Sequence, residues 1–236
     1  MKTLNISRTS ILFLTPLQLL QKAKFITQPY TDMKMIHKTI FIFSLLFLSC
    51  NSFIDKSEEA VAKKDYLKFH DEAKAYCKTQ NFNEDYYFLI DLSVHSGRNR
   101  FFIYDFKTNK IINESLVTHG SCDQFEANET QWEKAKFSNR TDSHCSSKGK
   151  YKIGKRDFSS WGIKVKYWLH GLETSNANAV ERVVVLHSWE AVENMETYPE
   201  YSPLSWGCPA VSDQFMELLD AKLKQTQKPV LLWIIE

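Results

Sequence analysis

The chain is poor in the residues that mark repetitive or flexible proteins, with seven glycines and six prolines among 236 residues. It shows no internal repeats and no low-complexity tracts, and its 43% hydrophobic and 25% charged residues are ordinary for a globular protein. Neither sign of charge prevails, because 30 Lys and Arg face 28 Asp and Glu. This composition excludes a collagen-like, disordered or multi-span membrane protein and gives no sign of a nucleic-acid partner.

A long apolar run is also missing. The most apolar stretch, Ile40–Leu48, has nine residues, whereas a membrane-spanning helix needs about 20. Its length is typical of the apolar core of a secretory signal peptide, and Lys34 and Lys38 supply the positive charge that precedes such a core. Residues 1–49 carry a balance of +5, which leaves −3 for the rest of the chain. We therefore expect residues 33–49 to be a signal peptide.

A cysteine follows this stretch directly. Leu48-Ser49-Cys50 resembles the lipobox of bacterial lipoproteins, in which the cysteine is lipidated and becomes the first residue of the mature protein. The resemblance implies a lipid anchor on Cys50, in the bacterial cell envelope and facing the periplasm. The alternative is a buried strand followed by a free cysteine. Because a signal peptide begins a chain, residues 1–32 suggest a misassigned upstream start, with the true start at Met33 or Met35.

The mature chain is predicted to begin with a tether and one helix over residues 50–85. A charged segment, Ser57–Thr79, carries an apolar stripe with alternating spacings of four and three residues, which is typical of an amphipathic helix. The stripe consists of Ala62, Tyr66, Phe69, Ala73, Tyr76 and Cys77.

Residues 86–236 are predicted to form a mainly β domain. A polar turn at residues 95–99 predicts a hairpin between the first two strands, and Ser212 is a good N-cap for a helix through Leu223. The predicted strands are Tyr86–Leu92, Arg100–Asp105, Ile111–Val117, Tyr151–Ile153, Ile163–Leu169, Arg182–Leu186 and Val230–Ile235.

One cysteine and one histidine are placed as a nucleophile and its base would be. Cys208 lies in Ser205-Trp206-Gly207-Cys208-Pro209, and His187 ends the apolar run Val183–Leu186. An imidazole near a thiol removes its proton and stabilises the thiolate, which predicts an ion pair and fast alkylation at neutral pH. Ser188, through its backbone or its hydroxyl, is the candidate to fix the histidine tautomer, and N–H groups around Gly207 are candidates for an oxyanion site.

His187-Ser188, a gap of 16 residues and then Ser205-Trp206-Gly207-Cys208 resemble the signature of L,D-transpeptidases of the YkuD type. Further stretches resemble a divergent murein branch of that family. They are Thr118-His119-Gly120, Phe137-Ser138-Asn139, Ser146-Ser147-Lys148-Gly149, His170-Gly171-Leu172 and Trp206 to Val211. The resemblance implies a β-sandwich-like domain over residues 86–236, with a helix before it and another after the cysteine. It departs from the better-known pattern at Trp206, Pro209, Ala210 and Ser188.

The resemblance also implies a function. Cys208 would be the nucleophile and His187 the general base in an attack on peptidoglycan stem peptides, with loss of a terminal D-Ala. The resulting thioester would be resolved by an amine of another stem, by a protein Lys or by water. The last outcome would make the protein a carboxypeptidase or an amidase. A non-catalytic wall-binding lipoprotein and a zinc-stabilised structural domain are further alternatives.

Several residues around this pair have predicted binding roles. His170 competes with His187 for the role of base, and we expect it and Gly171 to lie in the cleft or His170 to be a structural strand-end residue. We expect Trp206 to form a wall of the cleft and Ser205 to contact substrate. No phosphate loop or dinucleotide motif is present, so we expect no cofactor. We also expect a monomer.

A second cluster contains His119, Cys122, His144 and Cys145. Zinc ligation is one interpretation, but the spacing lacks regular gaps of two to four residues. A Cys122–Cys145 disulfide is favoured, because an exported domain meets an oxidising compartment. Free thiols or buried packing remain as further alternatives.

Overall fold

The computed structural model describes residues 64–122 and 132–236, so the predicted signal peptide, Cys50 and the tether lie outside the described residues. Two helices lie wholly within them, α1 (Leu67–Thr79) and α2 (Asp213–Gln225). No helix in the described ranges is both long and apolar enough to cross a bilayer. The strands are β1 (Tyr86–Asp91), β2 (Phe101–Asp105), β3 (Lys110–Ser115), β4 (Gly149–Phe158), β5 (Val165–Gly171), β6 (Val185–Ser188), β7 (Ala210–Val211) and β8 (Leu231–Ile235).

All eight strands belong to one mixed sheet with the order β3-β2-β1-β8-β4-β5-β6-β7. The chain that continues from β3 reaches the opposite edge, where the Thr118 N–H donates to the carbonyl of Ala210 at 2.9 Å. The Ser205 N–H likewise donates to the carbonyl of His119 at 2.9 Å. Because these bonds join the two edges, the sheet closes on itself. The predicted mainly β domain, with one helix before it and another after Cys208, is confirmed.

Side chains that alternate along β1 enter two different cores. Phe88 and Ile90 point into the core that α2 covers, and Tyr87 and Leu89 point into the core beneath α1. Every residue of β1 is buried, as expected for a central strand with packing on both faces. The predicted hairpin is confirmed, since β1 and β2 pair antiparallel with Tyr86 opposite Asp105.

Helix α1 begins later than the sequence predicts. Residues 57–63 lie outside the described part of the chain, and Lys64, Asp65 and Tyr66 are not helical. Lys64 forms an ion pair of 2.9 Å with the buried carboxylate of Asp91, and the Tyr66 hydroxyl donates to the same carboxylate at 2.9 Å. The chain is therefore fixed to β1 before the Asp65 side chain accepts the Leu67 N–H and the helix starts.

The strand predicted over Arg182–Leu186 is displaced towards the C-terminus. Arg182 and Val183 lie in turns instead, in which Val183 has φ +55° and its N–H donates to the carbonyl of Val180. The run of β-branched residues predicted a strand, but local turn bonds fix this backbone. As a result β6 begins at Val185 and contains both His187 and Ser188.

Helix α2 is fixed to the sheet through one carboxylate. The Ser212 hydroxyl caps the helix by accepting the Phe215 N–H, as the sequence predicts. One turn before the C-terminus, Asp220 accepts hydrogen bonds from Arg156 Nε at 2.7 Å and from the Tyr167 hydroxyl at 2.7 Å. Burial alone would raise the pKa of Asp220, but bonds from Arg156, Lys224 and Tyr167 outweigh it and lower that pKa well below its usual range.

A carboxylate with a depressed pKa stabilises the fold above its unfolded pKa, and this contribution is lost as the pH falls through the folded value. We expect Asp220→Asn to lower the free energy of unfolding by about 2 kcal/mol at neutral pH, and the difference from wild type to shrink below about pH 4. Urea unfolding over this range measures it, with exposed Glu217→Gln on the same helix as the control. A deficit that stays constant down to low pH would show that the charge of Asp220 contributes nothing.

Candidate active site

The loop that carries Cys208 requires glycine at position 207. Gly207 has φ +99°, a region that residues with a Cβ rarely adopt, and a Cβ there would lie 2.5 Å from the carbonyl oxygen of Cys145. The Gly207 N–H donates to the Ser205 hydroxyl at 3.2 Å, and that hydroxyl donates to the carbonyl of Cys208 at 2.7 Å. Ser205 therefore shapes the loop, and in this conformation the Gly207 N–H is not available as the predicted oxyanion donor.

The Cys208 thiol is held between backbone groups of the turn before β6. The Val185 N–H donates to Sγ at 3.4 Å, and the thiol donates to the carbonyl of Val183 at 3.6 Å. From the opposite side, the Thr118 hydroxyl donates to the carbonyl of Cys208 at 3.1 Å. These contacts orient a half-buried thiol towards a cavity.

His187 lies beside this loop because β6 and β7 pair in parallel, with His187 opposite Ala210. Its Nδ1 lies 2.9 Å from the carbonyl oxygen of Ser188. Since a carbonyl only accepts, Nδ1 carries the proton and the neutral ring keeps Nε2 as an acceptor. The tautomer is thus fixed by the Ser188 backbone, whereas the Ser188 hydroxyl accepts the Ile163 N–H.

Burial favours the neutral forms of both Cys208 and His187. It raises the pKa of Cys208, against opposing contributions from the Val185 N–H, Arg182 and Lys166. It lowers the pKa of His187, against the bond to Ser188. Burial therefore favours a thiol and a neutral imidazole in the resting site, in the opposite direction to the ion pair expected from the sequence.

Arg182 forms a second wall next to the thiol. Among the described residues, its guanidinium donates to four neutral acceptors, which are the Ser138 carbonyl at 2.9 Å, the Ser147 hydroxyl at 3.2 Å, the Ser143 hydroxyl at 3.3 Å and the Cys145 carbonyl. Its charge opposes the effect of burial on the pKa of Cys208. Nothing near Arg182 in the sequence indicates this position, because its partners are about 40 positions away.

Cys122 and Cys145 are joined by a disulfide. The bond keeps both sulfurs from ligating a metal, and no group of three metal-ligating side chains occurs in residues 64–122 and 132–236. The chain beside it lines the site, because His144 packs against the Trp206 ring with centroids 5.0 Å apart. The disulfide thus closes a segment that supports one wall of the cavity.

Cys208 and His187 open into one cavity of about 690 Å³. Aromatic rings of Trp161, Trp189 and Trp206 line it, and Trp206 is 69% exposed. Its charged lining residues are Asp142, Lys166, Glu181 and Arg182.

His170 and Gly171 do not line this cavity. His170 lies four residues beyond Lys166 on β5, which is about 13 Å along the strand. It pairs with Lys152 of β4, and its ring lies against Gly154. His170 is therefore a strand-end histidine, whereas His187 and His144 both line the cavity into which the thiol opens.

A thiol and a tautomer-fixed imidazole in one cavity are the components of a cysteine acyl-transfer site. The chain belongs to the L,D-transpeptidase catalytic domain family, whose model matches residues 60–232, α1 included. None of the curated proteins matches it.

Solved structures of several bacterial proteins are similar over about two thirds of this chain. An L,D-transpeptidase from Xylanimonas cellulosilytica is 11% identical over 68% of each chain, with a TM-score of 0.38. Bd1075 from Bdellovibrio bacteriovorus is 14% identical over 67% of this chain and 50% of its own, with a TM-score of 0.39. Pgp2 from Campylobacter jejuni, described as a helical cell shape determining protein, is 12% identical over 68% and 54%, with a TM-score of 0.36.

The effect of burial on the Cys208 thiol and the His187 imidazole, which favours their neutral forms, has a measurable consequence. We expect alkylation of Cys208 to be slow at neutral pH and to rise about tenfold per pH unit up to at least the usual thiol range. Mass spectrometry that locates the label measures this rate. Cys77 is an internal control, because burial raises the pKa of its thiol to about 12. A rate that is already high and constant through neutral pH would establish an ion pair instead.

Proposed function

We propose that the protein is a peptidoglycan acyltransferase that forms a thioester between Cys208 and a stem peptide. The observation that carries this proposal is the shared cavity of Cys208 and His187, in which the imidazole has its unprotonated nitrogen available and the half-buried thiol faces the cavity. Membership of the L,D-transpeptidase catalytic domain family supports the same substrate class.

The chemistry starts from neutral groups. As Cys208 Sγ attacks the carbonyl of the third stem residue, His187 Nε2 accepts the thiol proton, so charge develops only during attack. The Ser188 carbonyl stabilises the imidazolium through Nδ1–H, and the positive charge of Arg182 favours the anionic intermediate. The intermediate collapses as the C–N bond breaks, and the leaving D-Ala amine takes the proton from Nε2.

The thioester is then resolved by an acceptor. An amine of a second stem or of a protein Lys gives transpeptidation, and water gives carboxypeptidase activity. In each case His187 removes a proton from the acceptor and returns it to the departing thiol. The cavity bears carboxylates of Asp142 and Glu181 beside the cations, so both an amine and a carboxylate find opposite charge there.

Intact-mass spectrometry of the protein mixed with a disaccharide-tetrapeptide tests the thioester directly. We expect an adduct equal to the stem minus D-Ala, with release of free D-Ala, and no adduct on Cys208→Ala. His187→Ala should lower the rate of adduct formation by at least about a hundredfold, since a general base contributes that much. Added amine that converts the adduct to a cross-linked product identifies the acceptor. A folded protein that forms no adduct would contradict the proposal and favour a wall-binding role.

We further propose that the protein is anchored in the cell envelope through a lipid on Cys50. We expect Cys50→Ser to move it from the membrane fraction to the soluble fraction or to leave an uncleaved precursor. The mass of that precursor would show whether the chain starts at Met33 or Met35. Membrane association unchanged by Cys50→Ser, with a native peptide from residues 13–24, would contradict both the anchor and the internal start.

A further inference from the structure

Lys166 lies next to the proposed base on the same face of the sheet. In the antiparallel pair of β5 and β6 it is directly opposite His187. The β-carbons of residues in such positions are about 5 Å apart, and their side chains share one face. Both side chains line the cavity into which Cys208 opens.

The ammonium of Lys166 lacks a carboxylate partner within 4 Å among residues 64–122 and 132–236. The nearest candidate by register is Asp157, which lies opposite Lys166 on β4. Its carboxylate instead accepts the Trp168 indole N–H at 3.1 Å and the Phe158 N–H at 2.8 Å. The Lys166 ammonium lies 5.2 Å from the centroid of the Trp168 ring, and its charge helps to lower the pKa of Asp157. Since it forms no ion pair with a carboxylate of the described residues, this half-buried cation beside the proposed pair is available to a ligand.

The proposed reaction places a carboxylate near this cation. The leaving amine must meet His187 Nε2 to take its proton, and in an α-amino acid the carboxylate is two bonds from the amine. The cavity cation next to His187 in the sheet is Lys166, whose flexible stem lets the ammonium follow that carboxylate. Arg182 is already bound to four neutral acceptors in the opposite wall.

We propose that Lys166 binds the terminal carboxylate of the leaving amino acid, so that the enzyme cleaves only the last peptide bond of a stem. This inference rests on the proposed function and extends it to the choice of bond. A stem that continues beyond its fourth residue, or a bond to a protein Lys side chain, offers no carboxylate at this position and would be a poor donor.

Substrate pairs separate this role from a structural one. The measured quantity is the rate of adduct formation with the disaccharide-tetrapeptide and with its C-terminal carboxamide. A third stem, amidated only on its other carboxylates, shows which carboxylate the enzyme recognises. We expect wild type to prefer the free C-terminal carboxylate by about tenfold or more. Lys166→Met should remove that preference by slowing the acid about tenfold more than the carboxamide, and Lys166→Arg should restore part of it.

Lys152 provides the matched control, since it is a half-buried lysine on β4 outside the cavity. Lys152→Met should keep the preference. An equal loss on both substrates in Lys166→Met, or no preference in wild type, would overturn the inference and leave the thioester proposal standing. Calorimetric binding of the same stems to Cys208→Ala gives the preference without chemistry. Absence of any adduct, with equal binding of acid and carboxamide, would overturn both proposals.

Discussion

The closure of the sheet on itself is the constraint on which the site depends. The β3 and β7 edges are joined through Thr118, whose N–H bonds to the carbonyl of Ala210 and whose hydroxyl bonds to that of Cys208. The Ala210 N–H in turn donates to the Thr118 hydroxyl at 3.0 Å. Thr118 therefore supplies hydrogen-bond partners to both Cys208 and Ala210 in the segment that carries the thiol. If the edges separated, the loop would lose the hydrogen-bond partners that Thr118 supplies to Cys208 and Ala210.

A buried arginine supports this closure from behind. Arg100 is fully buried and donates to the carbonyls of Val117 and Val94 and to the ring of His119. Burial lowers its pKa to about 9 against the charge of Asp91, so it remains protonated at neutral pH. A buried charge is costly unless hydrogen-bonded, and this one fixes the backbone on either side of Thr118. The rigidity of the proposed site thus originates in polar bonds beneath it as much as in apolar packing.

Local patterns in the sequence predicted the parts of the molecule that depend on local physics. The alternation in β5, the cap at Ser212 and the turn at residues 95–99 each follow from neighbouring residues alone, and the structure has them. The same reasoning misplaced β6, because its apolar run also fits a turn in which Val183 has positive φ.

Long-range contacts explain what the sequence left undetermined about the site. Thr118 bonds to Cys208 across 90 positions, and Arg182 lies against Gly207 across 25. The residues around Thr118 carry part of the family resemblance but do not indicate this contact, and nothing near Arg182 in the sequence indicates its role. The sequence predicts that Ser205 contacts substrate and that N–H groups around Gly207 form an oxyanion site, yet the Gly207 N–H donates to the Ser205 hydroxyl. The spacing of residues in the sequence indicates which side chains could react. The closure of the sheet determines which of their hydrogen-bonding groups remain available to a substrate.

The neutral resting pair gives the cations of the cavity a particular role. In a permanent thiolate–imidazolium pair the two charges would compensate each other. Nearby cations would then only raise the affinity of the site for anions in general. In a neutral pair, negative charge arises on the attacked carbonyl oxygen and positive charge on His187 only after a substrate has excluded water. In the proposed reaction, Arg182, held by neutral acceptors, and Lys166, beside the base, would then act on charge that belongs to the transition state and to the substrate itself. The two proposals together would link activation of the thiol to the presence of the correct carboxylate.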